Sequence, residues 1–278
     1  MSLFKNTTCR ISVWQLRVFK FIVSVLFIAP VTPVQSVELT IYTENWPPIS
    51  FKNGDKVDGM AVEVVDALQK KMGTNSAIQL VPWARGYKAV LEDPNVLLFT
   101  VGRSAEREKQ MTLLGPVAIS KTVLYTRKGN AKRLLSLGDK IYDAPVGAYR
   151  DSIFADAAVK KGFHTLDLAA TPQITAKMLM MNRFDLWSEG SVVVPSVLKE
   201  IGYSGDDVEP VMILDSLELF LAFSAKIPLA TIKLWEGAMR QIKKDGTFQK
   251  IHQKWLPNEQ PPMEVYRIGL TLLTRKQK

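Results

Sequence analysis

Residues 59–73 read Gly-Met-Ala-Val-Glu-Val-Val-Asp-Ala-Leu-Gln-Lys-Lys-Met-Gly, and their spacing sets the grain of the fold. Val62, Val65, Leu68 and Met72 recur at helical intervals, and Gly73 stands where a helix commonly ends. Short apolar runs flank this helix: Val37–Tyr42 before it, Ile78–Val81 and Val96–Thr100 after it. A further helix is expected around Tyr87–Glu92, between the last two. Strands alternating with helices predict a parallel sheet flanked by helices.

The same grain returns past Gly129. Strands are expected at Pro145–Ala148, Thr165–Leu168 and Asp185–Trp187. Helices are expected from Asp151-Ser152 through Lys161, over Thr171–Met181 and over Ser191–Ile201. No sequence repeat relates the two series. Two β-rich stretches, Thr122–Arg127 and Leu217–Ser224, bracket the second one. An amphipathic helix follows over Pro228–Asp245, with Leu234, Trp235, Ala238, Met239 and Ile242 on one face. Gly246 ends it, and Thr247–Trp255 forms one more short helix. A chain that leaves one unit, builds a second and returns crosses twice, and two crossings make a hinge. The cleft outside the strand ends of two such units is the usual ligand site. Beyond Pro257, Pro261-Pro262 interrupts regular structure, and the apolar stretch Ile268–Leu273 either packs as a final strand or frays.

The N-terminus bears on compartment. Lys5, Arg10, Arg17 and Lys20 precede an apolar run from Phe21 to Ala29, with no acid before Glu38. Val34 and Ser36 suit the small-residue positions of a cleavage site, so residues 1–36 read as a secretory signal removed after Ser36. The run is shorter than the roughly 20 residues a membrane span needs. The only cysteine, Cys9, lies ahead of it, so no disulfide and no lipid-attachment cysteine is expected in the mature chain. Removing the signal takes four cations from a net charge of +9, and the remaining Lys and Arg are scattered. Nothing in that pattern points to nucleic acid.

Enzyme motifs are missing. There is no phosphate-cradling Gly-x4-Gly-Lys loop, no dinucleotide fingerprint, no Gly-x-Ser-x-Gly elbow and no His-Glu-x-x-His. The mature chain holds only His164 and His252, far apart, and His252 is expected to pack or face solvent. The run Asn53–Gly59 lacks the spacing and the closing Glu of a calcium loop and reads as a turn. Neither a metal nor a cofactor is expected.

Binding chemistry is present. Glu44-Asn45-Trp46-Pro47-Pro48-Ile49-Ser50-Phe51 with Asp58-Gly59-Met60 resembles the opening of the family 3 extracellular solute-binding proteins, the polar-amino-acid receptors of ABC importers. Val81–Tyr87, Arg103–Lys109 with Gly115-Pro116, Val146-Gly147, Arg183-Phe184-Asp185 and Lys244–Thr247 with Ile251 and Trp255 resemble its later blocks. The resemblance runs in order over about residues 38–257. It implies the two-lobed α/β periplasmic-binding-protein fold (type II), with residues 37–125 and the return segment 220–257 in lobe 1, residues 126–219 in lobe 2, and 258–278 as a C-terminal extension. It also implies a periplasmic, monomeric protein that closes on an amino acid or related carboxylate and delivers it to an ABC permease.

The resemblance assigns roles residue by residue. Arg107 matches the arginine that grips the ligand carboxylate, with Ser104 at the threonine position of that segment, and Arg103 is a second candidate. A planar guanidinium gives a carboxylate two parallel hydrogen bonds, which lysine cannot. Trp46 matches the aromatic ring laid against the ligand, stiffened by its prolines; Phe51 and Trp83 are related candidates. Arg85 lies near the expected cleft mouth, Thr100 ends a strand, and Ser152 offers a hydroxyl at a helix start. Where the family sets an acid against the ligand ammonium, the ungapped match reaches Gly190, with Glu189 beside it and Asp185 five residues earlier. Asp151 replaces the glycine expected before Ser152. Either Glu189 substitutes, or the ligand lacks an α-ammonium. Two other readings of the scaffold stay open: a dehydratase-like enzyme using Glu44, Asp185 or Glu189, and a ligand-sensing module for a signalling receptor.

Overall fold

A computed structural model describes residues 38–270. The secretory signal expected at residues 1–36 lies outside the described residues. Strand β1 (Thr40–Thr43) runs into the Trp46 loop, and a hairpin follows, β2 (Phe51–Asn53) and β3 (Lys56–Asp58), turning through Gly54 at φ 60°. Helix α1 (Met60–Met72) buries Val62, Val64, Val65 and Leu68 and ends on left-handed Gly73, whose N–H donates to the Gln69 and Lys70 carbonyls. At its start Gly59 has φ 129°, and a Cβ there would lie 2.6 Å from the Ile49 carbonyl oxygen. Only glycine lets α1 dock against the Trp46 loop so closely, and the Met60 and Ala61 N–H groups then bond the Pro48 and Ile49 carbonyls. That contact fixes the loop.

The chain continues through β4 (Ile78–Leu80), α2 (Trp83–Glu92), β5 (Val96–Gly102) and α3 (Ala105–Gln110). Strand β1 lies between β4 and β5 and is parallel to both. Every residue of β5 is buried, as befits a strand covered on both faces. A long strand, β6 (Thr112–Arg127), leads into the second half. There α4 (Ala131–Leu135), β7 (Val146–Tyr149), α5 (Ile153–Lys161), β8 (Leu166–Ala169), α6 (Pro172–Met180), β9 (Leu186–Gly190) and α7 (Val194–Glu200) follow in turn. Strand β7 is parallel to both β8 and β9. A second long strand, β10 (Val208–Phe223), returns, and α8 (Leu229–Lys244), α9 (Thr247–Trp255) and β11 (Tyr266–Gly269) complete the order.

The two long strands join the halves. The main sheet runs β4-β1-β5-β10-β6-β9-β7-β8, with β11 also pairing β6. The first end of β6 pairs β11 through Thr112–Gly115, and its last part pairs β9 through Thr122–Tyr125. Its antiparallel ladder with β10 carries register shifts at Pro210/Met212, Ile213/Asp215 and Leu219/Leu221. The β-rich brackets expected at Thr122–Arg127 and Leu217–Ser224 are therefore the ends of 16-residue strands. The expected lobe limits at 125 and 219 fall inside them. Of the expected C-terminal extension, Tyr266–Gly269 adds a strand to the sheet, and buried Lys243 holds the segment before it by donating to the Pro262 and Glu264 carbonyls at 2.6 and 2.7 Å.

Leu97, Phe99, Phe220 and Phe223 pack with α1 and α8 in one core, and Leu124, Val146, Phe163 and Leu186 form a second cluster. Helix α8 buries Ile232, Trp235, Ala238, Met239 and Ile242, whereas Leu234, expected on that face, is exposed. Position 234 falls at the edge of the stripe, where the helix already turns toward solvent. His252 is wholly buried against Phe248, and among the described residues none hydrogen-bonds either ring nitrogen, a packing role.

Candidate functional site

Residues at the carboxyl ends of β1 and β5 and at the starts of α2 and α3 meet the ends of β7 and α5 across a cleft. Glu44, Trp46, Trp83, Thr100 and Arg107 from one side and Tyr149 from the other line a narrow pocket there.

Arg107 dominates its chemistry. Ser104 caps α3 by accepting the Arg107 N–H at 3.3 Å, which sets that side chain one turn into the helix and toward the cleft. The residue is only 2% exposed. Its Nη1 donates to the Gly102 carbonyl at 2.9 Å and its Nη2 to the Asp151 carbonyl at 3.2 Å. Trp83 and Tyr87 stack on each other at 5.4 Å, and the guanidinium lies 5.2 and 5.0 Å from their ring centres. Among the described residues none forms an ion pair with it. A buried cation without a counter-charge costs several kcal/mol, and an anionic ligand would offset that cost.

Further groups surround it. Glu44 is buried, and burial pushes its carboxyl up to about 8 although the Tyr149 hydroxyl and Arg107 act against the shift. The Tyr149 hydroxyl donates to Glu44 Oε1 at 3.2 Å across the cleft, and burial followed by the two nearby carboxyls raises its own pKa well above the ordinary phenol value. Trp83 Nε1 donates to the Asp151 carbonyl at 2.8 Å. Asp151 itself has φ 57°, a left-handed conformation that glycine adopts freely and aspartate tolerates. Thr100 also has positive φ, 67°, and its Oγ1 donates to the Phe99 carbonyl. Backbone strain at both positions coincides with the pocket.

Of the residues singled out from sequence, Arg107, Trp46, Trp83 and Thr100 line one pocket. Glu189 lies behind it, wholly buried, accepting the Trp46 indole N–H at 3.3 Å; burial pushes its carboxyl up to about 8. Ser152 caps α5 by accepting the Ala155 N–H at 3.2 Å and stands beside the pocket wall rather than in it. The rest go elsewhere. Arg103 is held on the surface by Glu108 at 2.7 Å and Glu218 at 3.1 Å, because it precedes the Ser104 cap and escapes the inward turn. Asp185 pairs with Arg127 and Arg133 at 2.5 and 2.7 Å. Phe51 meets Trp255 edge-on at 5.7 Å, and Arg85 is exposed on α2, outside the pocket. Sequence reasoning missed Tyr149, Tyr87 and the binding position of Glu44. The helical spacing of Trp83 and Tyr87 was the available signal for the aromatic stack.

Two α/β halves joined by two long crossing strands, with a cleft between them, make the two-lobed periplasmic-binding-protein fold. The profile of the bacterial extracellular solute-binding proteins, family 3, matches residues 39–258, and the chain belongs to that family. It is 21% identical over 221 residues to the arginine-binding extracellular protein ArtP of Bacillus subtilis (strain 168), covering 77% of this chain and 84% of that one. Its fold is similar to the arginine-, lysine-, histidine-binding protein ArtJ of Geobacillus stearothermophilus, with a TM-score of 0.69 at 16% identity over 80% of this chain and 97% of the other. It is also similar to a histidine kinase sensor domain that resembles periplasmic binding proteins, with a TM-score of 0.70 at 19% identity over 82% of this chain and 99% of that one. Among the described residues no helix is long and apolar enough to cross a membrane, and no group of three His, Cys, Asp or Glu could hold a metal.

Proposed function

We propose that this protein captures a small carboxylate or amino-acid-like solute in the periplasm, by closure of its lobes, and hands it to an ABC permease. The observation that carries the reading is Arg107: a buried guanidinium with no ion-pair partner among the described residues, walled by Trp83 and Tyr87 and lining the cleft pocket. Ligand bridging the lobes would favour the closed state, and the membrane partner would read that state. The relative ArtP, named for arginine, supports an amino-acid-like guest. The basic and apolar segment at residues 1–36 supports export.

A thermal-shift screen against amino acids and small organic acids tests it, because a bound ligand raises apparent stability by mass action. A hit present in the wild type and lost in Arg107→Ala supports the reading; no hit across the panel counts against it.

One observation favours a second reading. Glu44 lines the pocket with its carboxyl pushed up to about 8, the state a general acid or base in an enzyme on this scaffold requires. Recovery of the hit unchanged after prolonged incubation decides for binding, and a product decides for turnover.

A further inference from the structure

Gly190 ends β9 across the cleft from Trp46, and its missing side chain decides where that ring can lie. A Cβ at position 190 would stand 2.8 Å from Trp46 Cζ2 and 3.3 Å from Phe154 Cζ. Neither neighbour can give way easily, since the Trp46 ring is 2% exposed and lies 5.9 Å, centre to centre, from Phe154. The preceding residue supplies the polar half of the contact. Glu189 Oε1 accepts both the Trp46 indole N–H, at 3.3 Å, and the Gly190 N–H, at 2.8 Å. Its Oε2 is buried without a hydrogen-bond partner among the described residues.

Trp46 belongs to the loop after β1, in the first lobe; Glu189 and Gly190 belong to β9, in the second. We infer that Glu189 and Gly190 form a seat that receives the Trp46 indole when the lobes close, and so set ligand affinity by positioning that ring rather than by touching the ligand. The inference rests on the two-lobed capture reading but on no particular guest. Gly190 provides the space, and Glu189 provides the acceptor. Glu189 is a positioning residue in this scheme.

The charge state of the seat matters because, among the described residues, no cation pairs with Glu189. The titratable groups around it are Glu44, Tyr149 and Tyr125, none of them basic, while Arg107 acts on Glu44 and Tyr149. A neutral carboxyl can rest under the indole. An ionised one would be driven to regain water, and opening the lobes is the way to supply it. With Glu189 pushed up to about 8 by burial, the seat holds at neutral pH and loosens above that point.

The test reads the Trp46 indole N–H directly, by ¹H–¹⁵N spectra of the ligand-free protein, with the resonance assigned from Trp46→Phe. Hydrogen exchange of that N–H is compared among wild type, Glu189→Gln, Glu189→Ala and Gly190→Ala, using the buried Trp187 indole as the control for folding. Exchange in Glu189→Ala and Gly190→Ala should be at least about tenfold faster than in the wild type, a change of about 1.4 kcal/mol. Glu189→Gln keeps an acceptor and cannot ionise. It should retain protection at neutral pH and, above about pH 8, exchange more slowly than the wild type. The seat is refuted if Gly190→Ala keeps wild-type protection, or if Glu189→Gln loses as much as Glu189→Ala. The two Glu189 variants decide alone if Gly190→Ala does not fold. Because no ligand is present, refuting the seat leaves the role of Arg107 untouched, and failure of the ligand screen leaves the seat untouched.

Discussion

The Arg107 guanidinium reaches across the cleft to the Asp151 carbonyl at 3.2 Å, and Trp83 Nε1 reaches the same oxygen at 2.8 Å. One backbone carbonyl thus collects donors from two elements of the facing lobe. It can do so because Asp151 turns through φ 57° and swings its carbonyl toward them.

That backbone twist has a cost that glycine would not incur. Asp151→Gly should stabilise the protein by about 0.5–1 kcal/mol, the strain relieved exceeding the added freedom of the unfolded chain. Asp151→Ala, which keeps a Cβ but loses the local tolerance of aspartate, should be destabilised. Urea midpoints measure both; equal midpoints for the two variants would mean that no strain is stored there.

A pH effect follows from the buried carboxyls. Glu44 and Glu189 are both pushed from an ordinary 4.5 up to about 8, burial being the main cause. The folded protein therefore keeps protons at these positions that the unfolded chain has already released. Their contribution is most favourable below pH 4.5, weakens as pH rises through the window, and is lost above about 8. At about 1.4 kcal/mol per pH unit for each group, the loss reaches several kcal/mol. Glu44→Gln should remove about half of this slope. Urea unfolding at about pH 5 and about pH 8 measures it, and an unchanged slope would show that Glu44 is not buried as described.

Much of the architecture is legible in the sequence, and the reasons are local. Helix α1 was marked by Val62, Val65, Leu68 and the closing Gly73, all short-range signals. The crossing strands are marked only at their ends, Thr122–Arg127 and Leu217–Ser224, because Gly115-Pro116, Ser120-Lys121, Pro210 and Asp215-Ser216 interrupt the rest of their runs. Pairing between two long partners, with register shifts at three of these breaks, carries the strands through, and no single segment encodes that. At the site, Arg103 and Arg107 are chemically equal on paper. The Ser104 cap separates them, one turning inward to the aromatic stack and the other outward to Glu108 and Glu218. Glu44 and Tyr149 meet from positions 105 residues apart, a contact that no local signal encodes.

The C-terminal segment offers a separate check of the fold. Lys243 Nζ donates to the carbonyls of Pro116, Pro262 and Glu264 and lies 4.5 Å from the Phe248 ring centre. Lys243→Met fills the space but makes none of those bonds, so it should cost about 2–3 kcal/mol. Limited proteolysis should then cut near Pro262–Glu264 first. Wild-type resistance there would show that β11 pairing with β6 alone holds the segment.

The most direct measurement is titration calorimetry of the best hit from the ligand screen, against the wild type and Arg107→Gln side by side. Glutamine keeps one donor group but carries no charge, and loss of a buried charge pair costs about 2–5 kcal/mol. Capture by Arg107 predicts that affinity falls at least about thirtyfold while the variant stays folded. A folded Arg107→Gln protein that binds as tightly as the wild type would contradict it.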